Sequence, residues 1–341
     1  MKRWIKRIFL TGFWGSLALV WIVVGLFYYQ DSQPASEKNQ AMIFEIHPGM
    51  TLKQVALELS RQGLIRSPSA FQAIAYIQDK QKQIMVGEFS LSPSMPPSKI
   101  LLRITSGKTV LHSVAIPEGY RITEIATLLH SEGLADQEVF IRQTRDENLI
   151  RSLGISADNL EGYLFPETYH FSKFTPEKKI IQKMVDTFRE QVLKPQLLMS
   201  AKKSSLAWYE IITLASLIEK ETGLDSERKI ISSVFHNRLR KNMRLQTDPT
   251  VIYAMGKFDG NIRKRDLKID SPYNTYRYKG LPPGPIANPG LKSIVAAISP
   301  IKSDHLYFVS RQDGSHHFSS TLIEHNRAVQ KYQLRKAHFR R

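Results

Sequence analysis

Cysteine is absent from the 341 residues of this chain. Disulfide bonds and thiolate metal sites are therefore excluded, although this absence does not indicate a cellular compartment. Acidic residues are outnumbered, with 31 Asp and Glu against 48 Lys and Arg, so the net charge is +17. A charge of this size favours an anionic partner, which could be a nucleic acid, a phospholipid surface or an acidic polymer.

Motifs of several common enzyme classes are also missing. No G-x-S-x-G elbow occurs, which argues against a serine enzyme of the α/β-hydrolase type. The stretch SGKT at Ser106–Thr109 ends like a phosphate-binding loop, but the full pattern needs glycine at position 102, where the chain has Leu102. Five histidines of the second half lack metal-ligand spacing such as H-E-x-x-H, so we expect no metal and no cofactor. They are His236, His305, His316, His317 and His325.

An uncharged apolar run near the N-terminus, residues 8–29, is long enough to cross a membrane. At about 1.5 Å per residue, a helix of this length spans a bilayer core of roughly 30 Å. Basic residues precede the run, whereas Asp31 and Glu37 follow it. The positive-inside bias therefore places residues 1–7 in the cytoplasm and the chain from Gln30 onward outside. A cleaved signal peptide is the alternative, but the run exceeds the usual apolar region of about 7 to 15 residues and no small-x-small site follows cleanly.

The predicted orientation narrows the choice of partner. Four positive charges lie before the membrane segment, which leaves +13 of the +17 on the outer side. We therefore expect no nucleic acid partner, and expect the acidic polymer of a bacterial wall or the membrane surface instead. With 42% apolar residues the chain can build a core, and its length accommodates about two domains.

A repeat with a constant offset of 70 residues follows a polar linker at 30–41. The stretch IHPGMTLKQVALELSRQGL aligns with IPEGYRITEIATLLHSEGL. Each copy predicts a short strand, a glycine turn and an amphipathic helix that ends at glycine. A period this long indicates a duplicated module rather than a solenoid. Identical pairs are Ile46/Ile116, Gly49/Gly119, Ala56/Ala126, Leu59/Leu129, Gly63/Gly133 and Leu64/Leu134.

The first copy, within a module predicted at 42–110, resembles a LysM-type module: an extended start, a turn and a helix carrying T-L-x-x-V-A. LysM modules bind glycans that contain N-acetylglucosamine, so the resemblance implies a glycan-facing role. The alternative is that strand, turn and helix form only a stable building block. The rest of the chain, 111–338, is predicted to contain the second copy at 112–180 and a catalytic core at 205–335. The predicted fold class of the chain is α+β.

The stretch WYEIITLASLIEKETG predicts a helix over 208–222, stopped by Gly223. Apolar residues occupy its whole circumference, so this helix must be buried. It nevertheless ends on two carboxylates. Glu219 continues an inward face, whereas Glu221 lies about 200° round the helix. We therefore expect one carboxylate to be functional and the other structural or solvated.

A carboxyl group at the C-terminal end of a helix faces the negative pole of the helix dipole, and apolar surroundings add to the preference for its protonated form. Such a group can donate a proton near neutral pH. The alternative is that both glutamates belong to a frayed, exposed final turn, in which Glu221 pairs with Lys220 and Arg228 at the surface.

The rest of the second half is divided by clear start and stop signals. Asp248 and Pro249 predict a helix N-cap and the first helical residue. The loop at 271–290 contains five prolines and three glycines, and a stiff loop of this length is typical of a functional segment. A hairpin is predicted to turn at 313–314, and the last helix opens with the capping box Thr321–Glu324.

Four stretches together resemble the MltG/YceG family, the membrane-anchored endolytic murein transglycosylases of bacteria. They are EGYLFPETYHF, ASLIEKETG, HNRLRKNMRLQTDPTVIYAMG and YNTYRYKGLPPGPIANPG. The resemblance extends from about Ile43 to about Gln330. It implies the layout of the family: a transmembrane helix at 8–29, a LysM-like α/β module at 42–110 and a mixed α+β catalytic region at 111–338.

The activity that the resemblance implies is cleavage of the MurNAc-β-1,4-GlcNAc bond inside peptidoglycan glycan strands, by a lyase that leaves 1,6-anhydroMurNAc ends and so terminates or trims nascent strands. By the same resemblance, the catalytic acid is the first Glu of E-K-E-T, which is Glu219. One carboxyl group suffices, because it can protonate the leaving oxygen and then accept the proton of the sugar's C6 hydroxyl. The resemblance also implies a location in the bacterial cytoplasmic (inner) membrane, with the catalytic region outside the cytoplasm, and penicillin-binding-protein synthases as partners.

Six further residues are expected to bind the glycan. They are Gln246, Thr247, Asp248, Tyr273, Asn274 and Tyr276. Two of these carry alternatives, since Asp248 could be only a helix cap and one tyrosine could pack in the core. Glu161, in the E-G-x-x-x-P stretch, is expected to be structural. Two other functions remain open: a muramidase that hydrolyses the same bond, and a non-enzymatic scaffold that binds peptidoglycan.

Overall fold

The computed structural model describes residues 14, 15, 17–19, 21–23, 25, 26, 29 and 33–334. The predicted cytoplasmic segment 1–7 and much of the predicted transmembrane segment 8–29 lie outside these residues. Within the described part of the chain, no helix combines the length and the apolar character that a membrane crossing requires.

Two compact units divide the chain. One comprises the residues up to His112 together with His170–Thr175, and the other comprises Ser113–Tyr169 together with the chain from Pro176 onward. Both units mix helices with short antiparallel strands, as an α+β fold does.

The first unit contains β1 (Met42–Ile46), α1 (Leu52–Arg61), α2 (Pro68–Ile77), β2 (Gly87–Leu91) and α3 (Pro97–Thr105). Strands β1 and β2 are antiparallel, and Phe44 lies opposite Phe89. Both phenylalanines are fully buried, because alternate residues of the two strands face the helices. Helix α1 begins at a capping box in which Thr51 and Gln54 satisfy each other's backbone amides.

The second copy of the repeat lies mostly in the second unit. It contains β3 (Leu111–Ala115), α4 (Ile122–Ser131), α5 (Gln137–Gln143), α6 (Glu147–Ser152) and β4 (Thr168–Ser172), and β3 pairs with β4. Helices α1 and α4 start and end 70 residues apart, which confirms the predicted offset. The turn glycines also correspond, since Gly49 and Gly119 have φ of 84° and 76°. The second copy differs by having a third helix before its closing strand.

The remaining elements of the second unit are mainly helical. They are α7 (Glu177–Val192), α8 (Pro195–Ala201), α9 (Trp208–Glu221), α10 (Asp225–Arg240), α11 (Asp248–Met255), a 3₁₀ turn (Asp266–Lys268), α12 (Leu291–Ile298), β5 (Tyr307–Ser310), β6 (His316–Ser319) and α13 (Leu322–Val329), which continues as a π-helical turn at Gln330–Leu334. Strands β5 and β6 form the predicted hairpin, and the capping box Thr321–Glu324 starts α13 as predicted.

Helix α9 is the centre of this unit. All eight residues from Ile211 to Ile218 are buried, which confirms the prediction that the helix is enclosed on every side. Helices α10, α11 and α12 pack against it. Each Ile or Leu buried in this way stabilises the fold by about 1.5–3 kcal/mol, so α9 is held in place by its whole surface. Its last residue, Glu221, is therefore positioned by a rigid element.

The proline-rich loop at 271–290 fastens this core to the second copy of the repeat. Asn288 accepts the backbone N–H groups of Gly162 and Leu164 with its Oδ1, both at 2.9 Å, and donates to Glu161 at 3.0 Å. Gly162 has φ of 88°, and a Cβ there would lie 2.7 Å from the Pro285 ring. Glycine is therefore required at this contact. Glu161 also accepts the Ile122 backbone N–H, in keeping with its expected structural role.

Candidate active site

Glu221 is the last residue of α9, and its carboxyl group is withdrawn from solvent. Burial raises its pKa from 4.5 to about 7, while the hydroxyl of Thr247, which donates a hydrogen bond to Oε1, acts in the opposite direction. The nearby carboxylate of Asp248 raises the pKa further, whereas the charges of His316 and Arg238 lower it. The balance leaves a glutamic acid that is partly protonated at neutral pH.

A cavity of about 450 Å³ opens beside this carboxyl group. Its walls come from the end of α9, from α10, from the start of α11, from the β5–β6 hairpin and from the C-terminal helix. The polar lining residues are Glu221, Arg238, Gln246, Asp248, Tyr276, Tyr307, Ser310, His316, His325 and Gln333. Leucine, valine and phenylalanine side chains complete the lining. A concave site with an apolar base and a few convergent polar groups is typical of a ligand-binding pocket.

Glu219 has polar surroundings in place of the expected apolar pocket, and its expected role as the catalytic acid stays a prediction. Its Oε1 accepts a hydrogen bond from Arg228 Nη1 at 2.8 Å, and its Oε2 accepts the Gly290 backbone N–H at 2.9 Å. The two charged side chains are only 6% and 7% exposed. Glu219 therefore serves as the anionic partner of a buried arginine, and it is not among the residues that line the cavity.

Arg228 joins several elements through this ion pair. It also donates to Ser293 Oγ of α12 at 2.5 Å and to Asp225 Oδ1 at 3.2 Å, and it lies 3.6 Å from Glu118. A buried guanidinium needs such partners, because its desolvation is costly unless charge and hydrogen bonds compensate. The alternative in which Glu221 pairs with Arg228 at the surface is wrong, since Arg228 is buried and pairs with Glu219.

Three of the predicted binding residues line the cavity. Gln246 has a left-handed backbone, with φ of 50°, which is a strained conformation for a residue other than glycine. Asp248 is not the N-cap of α11, because Thr247 occupies that position and Asp248 is the first helical residue. Its Oδ1 instead accepts a hydrogen bond from the Tyr276 hydroxyl at 2.5 Å. Burial raises the pKa of Tyr276, and this hydrogen bond raises it further.

Two other predicted residues lie away from the cavity. Asn274 is fully buried and donates to the backbone carbonyls of Leu267 and Ile269 at 3.0 and 2.8 Å, so it holds the loop together. Tyr273 packs against Tyr253, with ring centroids 4.8 Å apart, at the edge of the core. Tyr273 therefore agrees with the alternative prediction, in which one tyrosine packs against the core.

The profile of the YceG-like family matches residues 44–331. The chain belongs to the YceG-like family. It is 37% identical to the endolytic murein transglycosylase of Bacillus subtilis strain 168 over 339 residues, which cover 91% of each chain. It is 32% identical to the endolytic murein transglycosylase of Streptococcus pneumoniae D39, over 83% of this chain and 57% of the relative. A crystal structure of a yceG-like protein from Listeria monocytogenes superposes with a TM-score of 0.60 at 34% identity, over 85% of this chain and all of that one.

Several residues of this YceG-like site were missed by the sequence analysis. Arg238 donates to the backbone carbonyls of Leu245 and Leu306 and lies 5.2 Å from the Tyr307 ring centroid. His316 and His325 were examined only as metal ligands, yet both line the cavity. Thr247, which the sequence analysis singled out, does not line the cavity but contacts Glu221.

Proposed function

We propose that this chain is an endolytic lytic transglycosylase of peptidoglycan. It would cleave the MurNAc-β-1,4-GlcNAc bond within glycan strands and leave 1,6-anhydroMurNAc ends. Membership of the YceG-like family and relatives named endolytic murein transglycosylase support this proposal. The observation that carries it is the position of Glu221, a buried carboxyl group with a pKa of about 7 at the wall of a cavity.

Glu221 is proposed here as the general acid, and the predicted Glu219 stays the alternative. An efficient general acid has a pKa near the working pH, so that it is protonated in enough molecules and still releases its proton readily. Burial gives Glu221 this property, and its rigid helix fixes the carboxyl group beside the cavity. Glu219 lies on the same helix, but its two oxygens are engaged by Arg228 and Gly290.

The proposed reaction needs one proton donor and one proton acceptor. Glu221 gives its proton to the glycosidic oxygen as the bond from C1 to that oxygen breaks. The C6 hydroxyl oxygen of the same sugar then bonds to C1 and loses its proton, and the carboxylate of Glu221 is able to accept it. Water is not consumed. General acid–base catalysis of this type contributes about 10²- to 10⁴-fold to the rate.

The cavity offers polar contacts for the sugars around the cleaved bond. Gln246 and Tyr276 can exchange hydrogen bonds with hydroxyl and acetamido groups, and the face of an aromatic ring suits the apolar face of a pyranose. Thr247 contributes indirectly, by holding Glu221. Asn274 and Tyr273 would act only by shaping the loop that carries Tyr276.

The cellular setting is part of the proposal. The segment 8–29 would anchor the chain in the cytoplasmic membrane with residues 1–7 inside, and the catalytic region would face the wall. The module at 42–110 would hold glycan, since its strand, turn and helix follow the LysM-like order. Penicillin-binding-protein synthases are the proposed partners, and their co-purification with the full chain after crosslinking in cells would test this.

The product of the reaction distinguishes this proposal from its alternatives. The purified full-length chain is incubated with polymeric peptidoglycan, and the fragments are analysed by mass spectrometry. A lytic transglycosylase gives internal cuts with anhydro ends, which are lighter by one water than the reducing ends that a muramidase gives. Reducing ends would identify a muramidase, and intact strands bound to the protein would identify a scaffold.

A further inference from the structure

Helix α3 of the first unit has an outer side that is both basic and apolar. On its inner side, Ile100, Leu101 and Ile104 are fully buried. Residues three or four positions apart lie on the same side of a helix. The exposed side chains that follow this spacing on the outer side, up to the C-terminal cap, are Lys99, Leu102, Arg103 and Ser106. Leu102 is 54% exposed, so this helix presents an apolar group between two cations.

The segment before β2 extends this surface. The backbone N–H of Met85 donates to the Ile104 carbonyl at 3.0 Å, and a Cβ at Gly107 would lie 3.2 Å from the Met85 sulfur. Met85 and the next residue are 44% and 39% exposed. We call the combined surface the α3 face. It consists of Met85, Val86, Lys99, Leu102, Arg103 and Lys108.

The charge around the α3 face has one sign. The chain contains no acidic residue between Asp79 and Glu88, or between Glu88 and Glu118. Glu88 itself is 6% exposed and contacts His112 and Lys173. The same stretches contain five basic residues, which are Lys80, Lys82, Lys99, Arg103 and Lys108. Exposed apolar side chains among cations match an anionic phospholipid surface, whereas a hydrated acidic polymer would leave the apolar groups in water.

The N-terminal part of the first unit is fastened directly before α3. The backbone N–H of Ser36 donates to the Pro93 carbonyl at 3.0 Å, and Asn39 Oδ1 accepts a hydrogen bond from the Ser94 hydroxyl at 3.2 Å. The predicted membrane segment ends at position 29, seven residues before Ser36. At no more than about 3.6 Å per residue, these residues reach about 25 Å. A chain anchored through 8–29 therefore keeps the start of α3 close to the bilayer.

We propose that the α3 face docks on the anionic phospholipid surface of the membrane that holds segment 8–29. This inference rests on the anchoring in the proposed function and is independent of which carboxyl group is the catalytic acid. The Lys and Arg side chains pair with lipid phosphates, while Leu102, Met85 and Val86 enter the boundary between headgroups and acyl chains. The short tether raises the effective concentration of the α3 face at the bilayer, so contacts that are weak one by one suffice.

The test uses the full chain in vesicles of phosphatidylglycerol and phosphatidylcholine in equal parts. Because the chain has no cysteine, one introduced cysteine alone carries a fluorescent label. Ser106→Cys places the label on the outer side of α3. Ser90→Cys places it on the face of β2 that points away from the helices, since the neighbouring Phe89 faces them. Lipids with a nitroxide on the headgroup quench a label that reaches the surface.

We expect quenching at position 106 to be at least about twofold stronger than at position 90, because only the α3 face enters the headgroup region. This difference should shrink in vesicles of phosphatidylcholine alone and in about 1 M salt, which screens the charges. Quenching at position 106 that is the same in all three conditions would overturn the assignment to an anionic surface.

Two substitutions in the Ser106→Cys chain test the side chains themselves. Leu102→Ser should lower the ratio of docked to undocked label about tenfold, and Arg103→Gln should lower it about fivefold. Ile43→Ser is the matched control, because Ile43 is 51% exposed and lies on the sheet face that points away from the helices. We expect this control to leave the ratio unchanged.

The flotation of the chain with the vesicles is measured in the same samples. A chain that floats but shows equal quenching at positions 106 and 90, or equal effects of Leu102→Ser and Ile43→Ser, would overturn the docking alone. A chain that does not float would overturn the proposed anchoring and the docking with it. The two failures are therefore distinguishable, and neither depends on the formation of anhydro ends.

Discussion

The last turn of α9 carries two carboxylates that are only two residues apart but have different hydrogen-bond partners. On one side, Glu219 meets the guanidinium of Arg228 at 2.8 Å and a backbone N–H. On the other, Glu221 meets a single hydroxyl, and its surroundings raise its pKa to about 7. Both carboxylates are withdrawn from solvent, so burial alone does not distinguish them. Their partners differ: Glu219 meets a buried cation, whereas no cation among the described residues forms an ion pair with Glu221.

The largest expected effect is on turnover. Glu221→Gln should lower kcat by about 10²- to 10⁴-fold, because the amide cannot donate a proton to the leaving oxygen. Glycan binding should persist, since the side chain keeps its shape. Anhydro-end formation and co-sedimentation with peptidoglycan measure the two properties separately.

Glu219→Gln is the matched control for this comparison. The amide oxygen keeps one of the two contacts, to Arg228 or to Gly290, and the amide N–H group meets a donor at the other. Because the proposed proton donor is unchanged, we still expect less than about a tenfold loss in kcat. The opposite ranking, with Glu219→Gln inactive and Glu221→Gln active, would reverse the assignment and restore the original prediction for Glu219.

The next effect is on stability. Glu219→Ala should lower the free energy of unfolding by about 3 kcal/mol, because it leaves the buried Arg228 without its main partner. Urea denaturation gives this value, and turnover measured where the variant is folded should be largely retained. Glu147→Ala, which removes an exposed pair with Arg151, serves as the control and should leave the unfolding midpoint unchanged. A Glu219→Ala chain as stable as the control would mean that the ion pair contributes nothing.

The pH dependence of stability should report the ionisation of Glu221. The folded-state pKa of Glu221, about 7, lies above its ordinary value of 4.5, so its contribution to stability is complete below pH 4.5 and is lost as the pH rises through 7. Glu221→Gln has no such loss. One pKa unit corresponds to about 1.4 kcal/mol, so at pH 8 the variant should be more stable than the unchanged chain by about 3 kcal/mol.

Urea titrations at pH 5 and pH 8 measure this effect, and the gain should be much smaller at pH 5. Burial also raises the pKa of Glu161, to about 8, but this group is present in both chains and cancels in the comparison. A gain of equal size at both pH values would show that ionisation of Glu221 is not its cause.

The smallest effect concerns Gln246. Gln246→Gly relieves its left-handed backbone, which costs about 1–2 kcal/mol, but adds freedom to the unfolded chain, so we expect a net gain of about 0.5 kcal/mol. Turnover should fall, because the cavity loses a polar side chain. Gln312→Gly, at φ of 64° in the hairpin turn, should give a similar gain with unchanged turnover. Equal turnover in both variants would remove Gln246 from the binding residues.

Local patterns predicted much of the fold. The circumference of apolar residues in α9 predicted its burial, and the glycine spacing predicted two strand–turn–helix copies with helices 70 residues apart. The hairpin and the capping box of α13 were also predictable, because each is decided by a few adjacent residues. The third helix of the second copy was not predicted, since its sequence shows no matching period.

The candidate site was less predictable. Helical geometry correctly showed that the two terminal glutamates face different ways, but not which neighbours they meet. Arg228 reaches Glu219 from nine residues further along, and His316 reaches the cavity from β6, nearly a hundred residues away. No local pattern encodes such contacts, because they depend on how α10 and the hairpin pack against α9.

The sequence by itself determined that a buried helix ends in two carboxylates, because apolar spacing and a terminal glycine act within one turn of chain. Only the tertiary structure decided that one of them, Glu221, has a raised pKa. A pKa depends on the charges and solvent within a few ångströms, and folding brings those charges from distant parts of the chain.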